Sequence, residues 1–365
     1  MKVPLVDVKK ENDIIRDEID KAISDVIDSS QFILGDAVSD FEQKFSLFCE
    51  SGFCVGTSSG TSALHTALAS LDIEYGDEII TVPNTFIATT EVISLIGGKI
   101  RFVDVDYETG LISIEKLKET ISKKTKAIIP VHLYGQMCNM KAISEIAYDY
   151  DCIVIEDACQ AHGSERDWCK PGYYSDIAVY SFFPAKNLGC FGDAGALTTN
   201  AKITYNYAKA LVNHGRQSKY IHDFEGHNYR IDTIQSAVLN VKLKYLAERN
   251  KKRIENAEYY NEHLSEFNPI EQDKNSKSSY YMYVIRHKKR HDLSLFLKSK
   301  GIGTGVHYPL PLHLQPCYHY LKHREGDFPN TEKLSEEILS IPVYPEMSSK
   351  QREYVVDTLK KFGEK

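Results

Sequence analysis

The sequence predicts an α/β protein: a three-layer fold with a mostly parallel sheet between helices, followed by a smaller C-terminal α+β domain. Two observations carry this. Between Val55 and Thr199 short apolar runs alternate with helix-length amphipathic segments. After Asn228 that alternation gives way to a long, charge-laced helical stretch and then to a second, shorter strand-and-helix pattern. Together they divide the chain into an N-terminal segment with a large domain, residues 1–245, and a small domain, residues 246–365.

The runs at 78–82, 100–104, 127–131, 152–156 and 178–182 have the length and β-branched content of buried strands. Between them, Ile114, Leu117 and Ile121 mark one helix face, and Ile143, Ile146 and Ala147 another. Strands joined by helices pair in parallel and are covered on both faces, so they read as continuous apolar runs. A helix is also expected over 63–71. Ile234, Val238, Val241 and Tyr245 give the stretch from 233 to 264 a single apolar stripe, the mark of a connector helix. Beyond it, 281–285 reads as a strand and 293–300 as a helix closed by Gly301.

Composition excludes several functions. The net charge is −7, from 44 basic and 51 acidic residues, and the basic residues are dispersed, so no nucleic-acid partner is expected. No apolar stretch approaches the roughly 20 residues that span a bilayer, and the N-terminus lacks a signal-peptide core; no membrane partner and a cytoplasmic location are expected. The eight cysteines form no C-x-x-C pair, which argues against a disulfide framework or a zinc site, and no metal is assigned.

Chemistry concentrates in a few short segments. Lys186 follows a predicted buried strand and precedes a glycine-rich turn at Gly189, Gly192 and Gly195. Strand ends of open α/β sheets are where ligands bind, and an amine partly desolvated there can lose its proton and form an imine with an aldehyde. The strand before it ends in Asp157, a carboxylate placed to keep a pyridine nitrogen protonated. Taken singly, Lys186 would be a surface lysine and Asp157 a helix N-cap. Gln160 could donate to a phenolic oxygen. Gly60 and Thr61 lie among small residues that lead into the helix expected over 63–71, and a phosphate needs such convergent N–H groups at a helix start. Ser181 adds a hydroxyl, and Phe86, read as beginning a helix, is an aromatic that could stack on a ring. An aldehyde, a protonated pyridine and a phosphate together describe pyridoxal 5'-phosphate.

The segments 59–61, 85–89, 130–135, 156–162, 181–186, 192–195, 213–216, 226–230 and 307–313, in that order and spacing, resemble the DegT/DnrJ/StrS family of sugar aminotransferases. The resemblance implies fold type I of the pyridoxal-phosphate transferases, the aspartate-aminotransferase-like architecture. By it, Lys186 carries the cofactor as a Schiff base, the cofactor passing to pyridoxamine 5'-phosphate in the half-reaction. Asp157 pairs with the ring nitrogen, Phe86 stacks, and Gly60, Thr61 and Ser181 hold the phosphate. Asn228 joins them from a neighbouring subunit, which implies a homodimer with shared active sites. Arg216 and His214 are expected near the substrate. Tyr281 departs from the family pattern, which often has His there, as does the segment 168–174.

A related sugar dehydratase would replace Lys186 with histidine, and a non-catalytic protein on this scaffold should have lost part of the set. A nicotinamide dehydrogenase would show a G-x-G-x-x-G turn, which is absent. The expected partners are therefore a nucleotide-linked keto sugar and L-glutamate. The segment around His307 and Tyr308, stiffened by prolines on both sides of Leu310, resembles the 3-aminotransferases of the family more than the C4-specific ones, so a 3-keto-6-deoxyhexose is expected.

Overall fold

The computed structural model describes residues 1–363. Strands β1 (Phe53–Thr57), β2 (Glu78–Thr81), β3 (Lys99–Phe102), β4 (Thr125–Ile128), β5 (Ile153–Asp157), β6 (Ile177–Ser181) and β7 (Gly195–Thr199) form one sheet in the order β1-β7-β6-β5-β4-β2-β3. β2 through β6 pair in parallel, whereas β7 runs antiparallel to both β6 and β1. The apolar runs alternate side chains between two cores. Ile80, Ile128 and Val154 face one, and their chain neighbours Ile79, Ile129 and Ile155 face the other. Because both faces are covered, polar residues are excluded from these positions on either side.

Four of the five predicted strands lie within two residues of their observed bounds, and the run at 127–131 is observed at Thr125–Ile128, three residues short at its end. β1 and β7 were not predicted as strands. Gly195, read as part of a turn, begins β7 and sits opposite Thr57 and Ser181; a Cβ there would come 2.3 Å from the Ser59 carbonyl oxygen. It is a glycine because backbone approaches backbone, not because the chain turns.

The expected connector is two helices, Thr233–Leu243 and Leu246–His263. At the break, Lys244 and Tyr245 both reach Glu18 of the N-terminal segment, the lysine at 3.0 Å. The second of these helices packs with Arg290–Ser299 and Ser349–Gly363 against a two-stranded antiparallel sheet, β8 (Tyr283–Arg286) and β9 (Ile338–Ile341). Tyr260, Ile285, Leu297, Leu339 and Val355 form the core there, and Val3 from the other end of the chain packs with them. Gly301, at φ +79°, ends the helix before it.

The N-terminal segment is held by a buried ionic cluster. Glu11 accepts from Lys242 at 3.0 Å and from Arg249 at 2.7 Å, and all three are buried. Glu11→Ala leaves the buried Lys242 without its counter-charge and Arg249 with only Glu346, at 3.9 Å, so a loss of about 3–5 kcal/mol is expected. Thermal or denaturant unfolding measures it, and an unchanged midpoint would show that the cluster contributes nothing to stability.

Candidate active site

The parallel strands end together on one edge of the sheet, and a cavity of about 450 Å3 opens there. Eight of the residues selected from sequence line it: Gly60, Thr61, Phe86, Asp157, Gln160, Ser181, Lys186 and Tyr308. They arrive from the last residues of β5 and β6, from the segments that follow β1, β2, β5 and β6, and from the C-terminal part of the chain.

Asp157 is the last residue of β5 and is 6% exposed. Its Oδ2 accepts from the Thr89 hydroxyl at 2.8 Å and its Oδ1 from the Cys159 N–H at 3.2 Å. Thr85 in turn lies 3.1 Å from Thr89, so the carboxylate is fixed by a short relay. Turns rather than a helix follow β5, and Asp157 therefore caps nothing. Gln160 likewise stands in a turn. Its Oε1 accepts from the Tyr134 N–H at 2.8 Å, and its Nε2 lies 3.4 Å from the Tyr308 hydroxyl.

Opposite, the helix Gly60–Ala69 begins with a capping box: Ser59 Oγ accepts from Ser62 N–H at 3.0 Å, and Ser62 Oγ from Ser59 N–H at 2.9 Å. Gly60 and Thr61 are its first two residues, whose N–H groups have no acceptor within a helix. A Cβ on Gly60 would lie 2.7 Å from Ser181 Cβ and 3.1 Å from Cys159 Sγ, so only glycine brings this end so close to β6. N–H donors, a hydroxyl and a positive helix end make a phosphate cradle. The helix starts three residues before the expected one.

Phe86 is 54% exposed, and its ring lies 5.9 Å from that of Tyr308. It precedes the helix Ala88–Leu95 rather than beginning it. Lys186 sits in the turn after β6, its N–H bonded to the Phe183 carbonyl at 2.8 Å. Burial pushes the Tyr308 phenol above its ordinary value.

Four selected residues lie outside their own chain's cavity. The His307 imidazole turns to Ser340 Oγ at 2.9 Å, while its carbonyl accepts from the Tyr134 hydroxyl at 2.5 Å. Burial, with the positive charge of Lys186 adding to it, pushes His307 down to about 4, so it is neutral. His214, Arg216 and Asn228 belong to a segment in which Asn213 pairs with Asn228 and the short strand Arg216–Ser218 pairs with Ile221–His222. Sequence reading missed Thr89, which holds Asp157, and gave no role to Tyr281, Phe183 or Asp193, which line the cavity. Thr89, Phe183 and Asp193 lie within the motifs at 85–89, 181–186 and 192–195, and Tyr281 stood out only as a departure from the family pattern.

The donor set fits pyridoxal phosphate: an amine, a hydrogen-bonded carboxylate and a helix-start cradle share one cavity. Comparison with known proteins agrees. The DegT/DnrJ/EryC1/StrS aminotransferase family matches residues 13–360. A pleiotropic regulatory protein of Geobacillus stearothermophilus is 39% identical, over 99% of each chain. The dTDP-3-amino-3,6-dideoxy-alpha-D-galactopyranose transaminase of Aneurinibacillus thermoaerophilus is 38% identical, again over 99% of each. Among solved structures, S. venezuelae DesV in complex with a ketimine intermediate superimposes with a TM-score of 0.97 at 34% identity, covering 100% of this chain and 99% of that one. The chain belongs to the DegT/DnrJ/EryC1/StrS aminotransferase family and is a sugar aminotransferase dependent on pyridoxal phosphate.

Proposed function

We propose that the protein transfers the amino group of L-glutamate to C3 of a nucleotide-linked 3-keto-6-deoxyhexose, with Lys186 as the cofactor lysine. The observation that carries the assignment of Lys186 is its meeting with Asp157 and the Gly60–Thr61 helix start in one cavity. When bound, pyridoxal phosphate supplies an electron sink for the carbon that loses its proton. The chain's residues do the rest. Asp157 holds a proton on the ring nitrogen. Gly60, Thr61 and Ser181 would anchor the phosphate, and Phe86 would pack against the ring. The Lys186 Nζ would accept the proton that the substrate carbon loses and hand it on. Tyr308, which lines the same cavity beside Gln160 and Phe86, would meet the sugar.

The 3-keto assignment is supported by the 38% identity to a 3-amino-sugar transaminase. A regulatory reading is suggested by the name of the other relative, but Lys186, Asp157 and the cradle are all retained here. One assay separates the readings. The purified protein is incubated with glutamate and a panel of 3-keto and 4-keto nucleotide sugars and a cyclitol ketone, and the products are weighed. Faster amination of a 4-keto sugar or a cyclitol would overturn the substrate, and no amination of any would favour a regulatory role.

The protein acts in the cytoplasm as a homodimer with shared sites, Asn228 of each subunit reaching the other's phosphate cradle, and Arg216 and His214 meeting the substrate's anionic groups. Two features support the shared sites. Lys186 is the single cationic side chain lining the cavity among the described residues, and Phe86 and Phe183 stand half exposed at it. Isologous pairing would complete two sites at once. Mixed Lys186→Ala and Asn228→Asp subunits should regain partial activity, and none after verified subunit exchange would refute sharing.

A further inference from the structure

The Lys186 amine rests on a ring. Its Nζ lies 4.4 Å from the centroid of Tyr281, a residue of the segment entering β8 that also lines the cavity. A buried polar lattice builds this juxtaposition. Asn187, next to Lys186 and 4% exposed, donates through Nδ2 to the Ser279 carbonyl and to Asn250 Oδ1, each at 2.9 Å. The amide that fixes the lysine's turn thus also fixes the chain two residues before Tyr281. Ser279 and Ser164 hydroxyls lie 2.9 Å apart, and Met282 N–H bonds the Tyr134 carbonyl at 3.3 Å. Gly135, at φ +100°, leaves the room: a Cβ there would come 2.7 Å from Ser279 Oγ and 3.0 Å from the Tyr281 nitrogen. Behind, Arg253, 3% exposed, reaches the Tyr280 carbonyl at 3.5 Å. The backbone on both sides of Tyr281 is held.

We propose that Tyr281 is a positioning residue whose ring face seats the Lys186 ammonium, the form the amine takes when it is not joined to the cofactor and holds the proton it carries. The proposal rests on the reading of Lys186 as the cofactor lysine. A lysine that carries a proton between two carbons must stay within reach of both, yet its four-carbon stem has many rotamers open to it. The electron-rich face of a partly desolvated ring favours the seated rotamer by about five- to thirty-fold. Tyr281 has no part in holding the phosphate or the ring nitrogen, so its loss should spare cofactor binding.

The test uses apoprotein labelled with 13C at the lysine ε carbons, the Lys186 signal being assigned by its loss in Lys186→Arg. Ring current should shift that signal upfield in the wild type and in Tyr281→Phe, and the shift should vanish in Tyr281→Leu. In the loaded enzyme, Tyr281→Leu should lower kcat about five- to thirty-fold with little change in KM for glutamate, while Tyr281→Phe stays within about two-fold of the wild type. An unshifted wild-type signal overturns the proposal even if the leucine variant fails to fold. So does a phenylalanine variant as slow as the leucine one, because the hydroxyl rather than the ring would then matter. Failure of the underlying reading looks different: Lys186→Ala would keep its turnover whatever stands at position 281.

Discussion

Lys186→Ala is expected to lower turnover by at least about 10^4-fold while leaving the fold intact, because both the covalent attachment and the proton-transfer group are lost together. The fold should survive because the lysine's turn is anchored by its backbone and by Asn187, not by the amine. Asn187 keeps its bonds to Ser279 and Asn250 whatever side chain precedes it. Pyridoxal phosphate should still bind the variant without covalent attachment, since the cradle at Gly60, Thr61 and Ser181 is untouched. The comparison is kcat with an active ketone, alongside circular dichroism and the unfolding midpoint. A variant retaining a tenth of wild-type turnover would rule out Lys186 as the proton carrier.

Asp157→Asn is expected to cost about 10^2- to 10^3-fold in kcat, the effect of removing one preorganised electrostatic group. The substitution isolates charge from shape. An asparagine can present its oxygen to the Cys159 N–H and its amide to the Thr89 oxygen, so both contacts of the carboxylate have counterparts. What disappears is the negative charge that keeps the ring nitrogen protonated, and with it the cofactor's capacity to draw in electrons. Asp157→Ala should be worse still, because the Thr85 and Thr89 hydroxyls would face a gap. If the asparagine variant stays within a few-fold of wild type, Asp157 does not govern the ring nitrogen.

These residues were legible in the sequence because their signals are local. A carboxylate ending an apolar run, a lysine just past the next run and a small-residue turn opening a helix are each visible within ten residues or so, and open sheets gather such strand ends on one edge. The parallel strands were legible for a related reason, since burial on both faces leaves them uniformly apolar. What escaped notice depends on distant parts of the chain. Gly195 looks like a turn until Ser59 is seen packed against it. The connector looks like one helix, yet it breaks at Lys244 and Tyr245, where both meet Glu18 of the distant N-terminal segment. Tyr281 reads as part of a strand, yet β8 begins only at Tyr283, because the segment before it is bolted to Asn187 and Gly135. His307 and Tyr308 are adjacent in sequence but part in space, one to Ser340 and the other to the cavity. No periodicity separates them, for the choice is made by Tyr134 and Gln160 from another part of the chain.

The most direct measurement of the central claim is chemical trapping. The protein loaded with pyridoxal phosphate is reduced with borohydride, digested, and mapped by mass spectrometry. A single phosphopyridoxyl label on the peptide containing Lys186, absent from Lys186→Ala and diminished when substrate is added before reduction, is the result this account predicts. A label on any other lysine, with Lys186 unmodified, would contradict it.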